Sequence, residues 1–146
     1  MKFRQSLAIL LMSASMATAG GETPANPDAV VYFANLADGD TVSSPVTVVF
    51  GLRGMGVAPA GMEKEMTGHH HLLINRPPLG EGPEGADELA NGLPADDNHK
   101  HFGGGQTEAT LELPAGQHTL QLVLGDANHV PHATPIVSEV ITITVE

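Results

Sequence analysis

Short apolar runs with a period of two, cut apart by glycine and proline, commit this chain to β-structure. Val46, Val48, Phe50 and Leu52 alternate with Thr47, Val49 and Gly51, and Ala109, Leu111 and Leu113 alternate with Glu108, Thr110 and Glu112. Leu120, Leu122 and Leu124 repeat the pattern behind His118, and Ile141, Ile143 and Val145 close the chain in the same way. Alternating side chains line opposite faces of a strand, so each run reads as a half-buried strand. Val30–Phe33 is a further candidate. No run carries a credible helical period. Turn signals at Asp38-Gly39-Asp40 and Pro114-Ala115-Gly116 separate the candidates, and the second predicts a hairpin between the strands over 107–113 and 118–124. The expected architecture is all-β: an antiparallel immunoglobulin-like sandwich of about six to eight strands.

Two long loops interrupt this pattern. Residues 53–68 dissolve into glycine, proline and charge, and from Asn75 to Asn98 the residues Pro77, Pro78, Gly80, Gly82, Pro83, Gly85, Gly92 and Pro94 argue against regular structure. Loops beyond about 12–15 residues in a compact domain are mostly functional or disordered. Between these two lies Gly68-His69-His70-His71-Leu72-Leu73-Ile74-Asn75, three imidazoles running into an apolar strand.

The first nineteen residues read as an address. Lys2 and Arg4 precede the apolar run Leu7–Met12, and Ala17-Thr18-Ala19 has the form of a cleavage site, so residues 1–19 are expected to be a signal peptide. The run is shorter than the roughly 20 residues of a spanning helix, and no later segment approaches that length, so the mature chain is not expected to insert in a membrane. Residues 20–29 form a polar, proline-containing lead-in expected to be mobile, and 30–146 a single domain. The chain is thus expected to be periplasmic or secreted, and with no cysteine it holds neither a disulfide nor a lipid-modified cysteine.

Charge narrows the partners. Loss of Lys2 and Arg4 leaves four basic residues against seventeen acidic ones. Such a surface repels nucleic acid and anionic lipid and favours cations. Aromatic platforms for sugar stacking are scarce, since there is no Trp and one Tyr.

The eight histidines carry the chemistry. His69 and His71 share one strand face while His70 takes the other, and His99 and His101 have the same spacing. His129-x-x-His132 is a third chelating candidate, and His118 shares parity with the core leucines. Neutral imidazole is the commonest ligand for zinc and copper. His69, His71, His99, His101, His129 and His132 are therefore the candidate metal ligands, with Met55, Met62 and Met66 as soft donors that keep Cu(I) open beside Cu(II) and Zn(II). Asp96, Asp97, Glu108 and Asp126 could orient a ring or bind directly. His70 and His118 have simpler readings as core residues.

Several of these strings together resemble a known family. Val46–Met55, Gly68–Ile74, His101–Glu108, Pro114–Leu122 and Gly125–His132 look like the bacterial domain-of-unknown-function family numbered 4399, across nearly the whole of 30–145. The resemblance implies an exported bacterial domain and carries no established activity. Asn75 departs from it, since the family pattern usually has Asp there.

The expected function is an exported metal-binding module, copper favoured over zinc, with the ion as its partner and a periplasmic protein as a further one. The alternative is a non-catalytic interaction domain braced by a histidine network that responds to pH. An enzyme is not expected, because no His-Glu-x-x-His, Ser-His-Asp or cysteine-based pattern is present.

Overall fold

The computed structural model describes residues 20–146. The expected signal peptide falls on residues 1–19, outside the described residues. The described chain is mostly β, with one short helix: β1 (Val30–Phe33), β2 (Thr41–Val42), β3 (Val46–Arg53), β4 (Gly56–Val57), β5 (Thr67–Ile74), α1 (Gly85–Asn91), β6 (His99–His101), β7 (Glu108–Leu111), β8 (Gly116–Gly125), β9 (Pro131–Val137) and β10 (Ile141–Val145).

These form two open sheets. One is antiparallel, in the order β1-β3-β7. The other is mixed and runs β2-β10-β8-β5-β4, with β6 also on β5 and β9 also on β8. In it β2 lies parallel to β10 and β4 parallel to β5. Val46, Val48, Phe50 and Leu111 of the first sheet share one buried cluster with Leu72, Ile74, Leu120, Leu122, Leu124 and Ile143 of the second. Each such side chain stabilises the fold by about 1.5–3 kcal/mol on leaving water.

Three expectations are corrected. The strands around 107–113 and 118–124 do not pair: β7 joins β3, and β8 joins β5 and β10. Pro114–Gly116 carries the chain from one sheet to the other. Either arrangement buries the same leucines, so alternation alone did not choose between them. Part of the expected 125–135 loop is strand β9, which meets β8 across a register shift at Leu124/Gly125. The loop after Asn75 contains α1, whose buried Leu89 and Glu88 face inward. Glu88 pairs with Arg76, and Gly92, at φ 91°, ends the helix.

The lead-in is hydrogen-bonded along β9, from Gly20 N to Ala133 O, from Gly21 N to Pro131 O and from Ala133 N to Thr23 O.

The outer face of β5 is what positions the site. His70, Leu72 and Ile74 face the inter-sheet core, whereas Leu73 packs with Val123, Leu93 and Leu79 beneath the 75–98 loop. Gln121 holds that loop by accepting from Leu79 N. Covered on both faces, β5 is buried from Gly68 to Ile74.

Candidate metal centre

β5 turns His69 and His71 to the face covered by the loop and His70 to the core, as strand alternation requires. Next to β5, β6 runs antiparallel with His101 opposite His71 and His99 opposite Leu73. Directly opposed residues project to the same side, so both His-x-His pairs reach one face. The β8–β9 connection supplies the fifth ring. Asp126 Oδ1 accepts from Asn128 N and Val130 N, and Asp126 O accepts from His129 N, which folds a tight turn with His129 at φ 68°. Thr23 donates to the other carboxylate oxygen.

His69, His71 and His129 converge: one ring nitrogen of each lies within 4.8 Å of the others. His69 Nε2 and His129 Nδ1 are 3.0 Å apart. Ligand nitrogens about 2.0–2.1 Å from an ion stand about 2.9 Å apart at a right angle and about 3.4 Å apart at the tetrahedral angle, so this spacing already matches one edge of a coordination shell. The ring centroids of His69 and His71 are 4.5 Å apart, and those of His69 and His129 are 4.8 Å apart. His101 stands farther out, with its centroid 4.9 Å from His129 but 6.4 and 6.2 Å from His69 and His71, and its side chain is exposed.

His99 belongs to the group in another role. Its Nδ1 lies 2.5 Å from Pro94 O, and its Nε2 lies 2.9 Å from His71 Nδ1. A carbonyl only accepts, so His99 Nδ1 carries the proton and its Nε2 presents a lone pair. His71 Nδ1–H donates to that lone pair, which leaves His71 Nε2 deprotonated. This nitrogen is buried and makes no hydrogen bond, and neither does His69 Nδ1. Buried polar atoms are ordinarily paired. Gly125 makes room for the ring: a Cβ there would collide with His71 Nε2.

Burial holds these rings neutral. It is the largest cause in each case, lowering His69 to about 4 and His71 to about 2. Those values also include lesser causes: His129 and His101 lower His69 while Asp126 raises it, and His69 and His99 lower His71. His99 is also lowered, chiefly by burial. Neutral imidazole is the form that ligates a metal.

The other candidates lie elsewhere. His132, expected with His129, is not brought to the group. Its ring is fully buried between Leu124 O and Thr67 O, against Gly68 on the core side of β5. The left-handed turn at His129, just ahead of β9, sends the two rings apart. His70 packs on Phe50 with Nδ1 3.3 Å from Gln106 O; its Nε2 is also unpaired, but no other ring converges on it. His118 is tied at the far end of β8 by Asn75 Nδ2 and Pro114 O. Met55 packs against the core, and Met62 and Met66 are exposed. Glu108 lies on β7 in the other sheet, and Asp96 caps Asn98 N.

A family model described as a domain of unknown function (DUF4399) matches residues 48–146. No curated protein and no solved structure matches the chain.

Proposed function

Because the chain belongs to the DUF4399 family, whose description assigns no activity, we propose from the site that it is a metal-binding module, and from the leader-like residues 1–19 that it is exported. His69 and His71 on β5 and His129 from the β8–β9 turn are its ligands, and His99 orients His71. The observation that carries this reading is the convergence of three rings, one of which, His71, presents a buried Nε2 that no protein group satisfies. A histidine network serving only to brace the loops would leave His71 Nε2 with the desolvation cost of an unpaired polar atom, about 1–3 kcal/mol.

Copper is favoured over zinc because divalent copper binds a given nitrogen site more tightly. The all-imidazole donor set, with the methionines elsewhere, favours Cu(II) over Cu(I). The leader-like pattern of residues 1–19 supports a periplasmic or secreted location, and the two facing sheets are read as an immunoglobulin-like sandwich. We read the module as binding rather than catalysing, a reading supported by Glu108, the first acid after His101 in the chain, which lies in the other sheet.

Elemental mass spectrometry on the purified chain tests this, with a His69→Ala/His71→Ala variant checked for folding by circular dichroism. Near-stoichiometric copper that disappears in the folded variant is expected. A chain that stays metal-free after incubation with Cu(II) and Zn(II) and desalting overturns the reading and leaves the braced interaction domain.

A further inference from the structure

A histidine does not settle in the left-handed region unaided. At φ 68° the Cβ of His129 crowds its own backbone, and a residue so placed persists only where its surroundings over-determine it. Around His129 that restraint comes from Asp126. Asp126 N donates to Val130 O, Asp126 O accepts from His129 N, and Oδ1 accepts from Asn128 N and Val130 N. The residue is 7% exposed, so its second carboxylate oxygen also needs a partner. Thr23, 103 positions away in the chain, supplies it: Oγ1 donates to Oδ2 at 2.5 Å, the length of a charge-assisted bond.

The lead-in brings Thr23 there. Ala133 N donates to Thr23 O, and ahead of it Gly20 N and Gly21 N donate to Ala133 O and Pro131 O. The approach to β9 is so close that side chains are excluded. A Cβ at Gly20 would overlap His132 O, and one at Gly21 would stand 2.9 Å from Pro131 O. Asn26, farther along, is tied instead to Gly54 O, just beyond β3. The turn in question sets His129 Nδ1 3.0 Å from His69 Nε2, so a shift of its backbone moves one ligand against another.

Resting on the metal-binding reading above, we propose that residues 20–23 are a strap belonging to the metal centre, with Thr23 its positioning residue. Through Asp126, Thr23 holds the turn that presents His129. It does not touch the ion.

The test uses the full chain with Cu(II), followed by competition titration and electron paramagnetic resonance, each variant being checked for folding by circular dichroism. Thr23→Val is expected to keep copper stoichiometry, to shift the copper hyperfine coupling and to lower affinity about tenfold, the low end for a disturbed support of a ligand, since Oδ1 keeps both of its donors. Thr23→Ser restores both readings. Gly20→Val, which lifts the strap while keeping every side chain of the site, reproduces Thr23→Val and decides the matter where that variant does not fold. Asn26→Ala leaves affinity and hyperfine coupling as they were. Wild-type readings in Thr23→Val and Gly20→Val overturn the proposal. So does an equal loss in Asn26→Ala, which would make the effect one of general stability, or no recovery in Thr23→Ser, which would make it one of packing. A wild-type chain that takes up no copper removes the metal-binding reading itself. The strap's hold on the turn is then decided in the metal-free chain by nuclear magnetic resonance, where the His129 imidazole signals move in Thr23→Val and stay in place in Asn26→Ala; signals unmoved in both overturn it.

Discussion

The proton of His99 decides which nitrogen His71 offers. Because Pro94 O fixes His99 Nδ1 as a donor, His71 must donate through Nδ1 and ligate through Nε2. Loss of such a supporting hydrogen bond typically lowers metal affinity on the order of 10–100-fold. His99→Ala is therefore expected to weaken copper binding by about that factor in a competition titration while stoichiometry is kept, whereas His71→Ala abolishes it. Equal loss in the two variants would make His99 a ligand. His70→Leu is the matching control: its ring lies on the core side of β5 against Phe50, so folding energy changes and copper stoichiometry does not. Strand alternation made the division between His70 and its two neighbours legible in the sequence. It could not separate His99 from the ligands, because that depends on a carbonyl five residues away reaching one ring nitrogen. Nor could it place His132, whose direction follows from the left-handed backbone at His129.

Among the elements, β8 and the loop with α1 give the site its shape. Gly125 on β8 faces His69 in register and leaves the space that the His71 ring fills. Gly125→Ala forces that ring aside, so copper affinity is expected to fall on the order of 10–100-fold, as with other disturbed supports of a ligating ring. An unaltered affinity in a folded variant would show that the ring has room elsewhere. The loop depends on Arg76 and Glu88, a pair whose carboxylate is 2% exposed. Removing one partner of a buried pair costs about 3–5 kcal/mol because the other charge is left uncompensated. Arg76→Met is expected to lower the urea midpoint by a corresponding amount, with Glu88→Gln in the same background restoring part of it. No restoration would mean that Arg76 acts through packing alone. The strands β3, β7 and β8 were legible from their alternation; α1 was not, since seven residues among glycines and prolines offer too short a period. Strand partnership was hidden for a different reason, as β7 beside β3 and β7 beside β8 bury the same side chains.

For the whole molecule, the same histidines link folding, acidity and metal. An unfolded histidine titrates near 6.5. In the metal-free fold burial holds His69 at about 4 and His71 at about 2, so on acidification the unfolded chain takes up protons before the folded one does. Their contribution is complete above about pH 6.5 and is lost as pH falls, through about 4 for His69 and towards 2 for His71. The loss approaches about 1.4 kcal/mol per pH unit for each group. Urea unfolding in chelator is thus expected to show a midpoint that drops from pH 7 to pH 5, and a His69→Gln/His71→Gln variant a flatter profile. Equal slopes in the two proteins would mean that these rings do not set the acid sensitivity. Metal acts in the opposite sense, since it binds the neutral rings of the folded chain. A hundredfold excess of copper over its Kd at pH 7 adds about 2.7 kcal/mol, and that gain shrinks as protons compete for the ligands at lower pH.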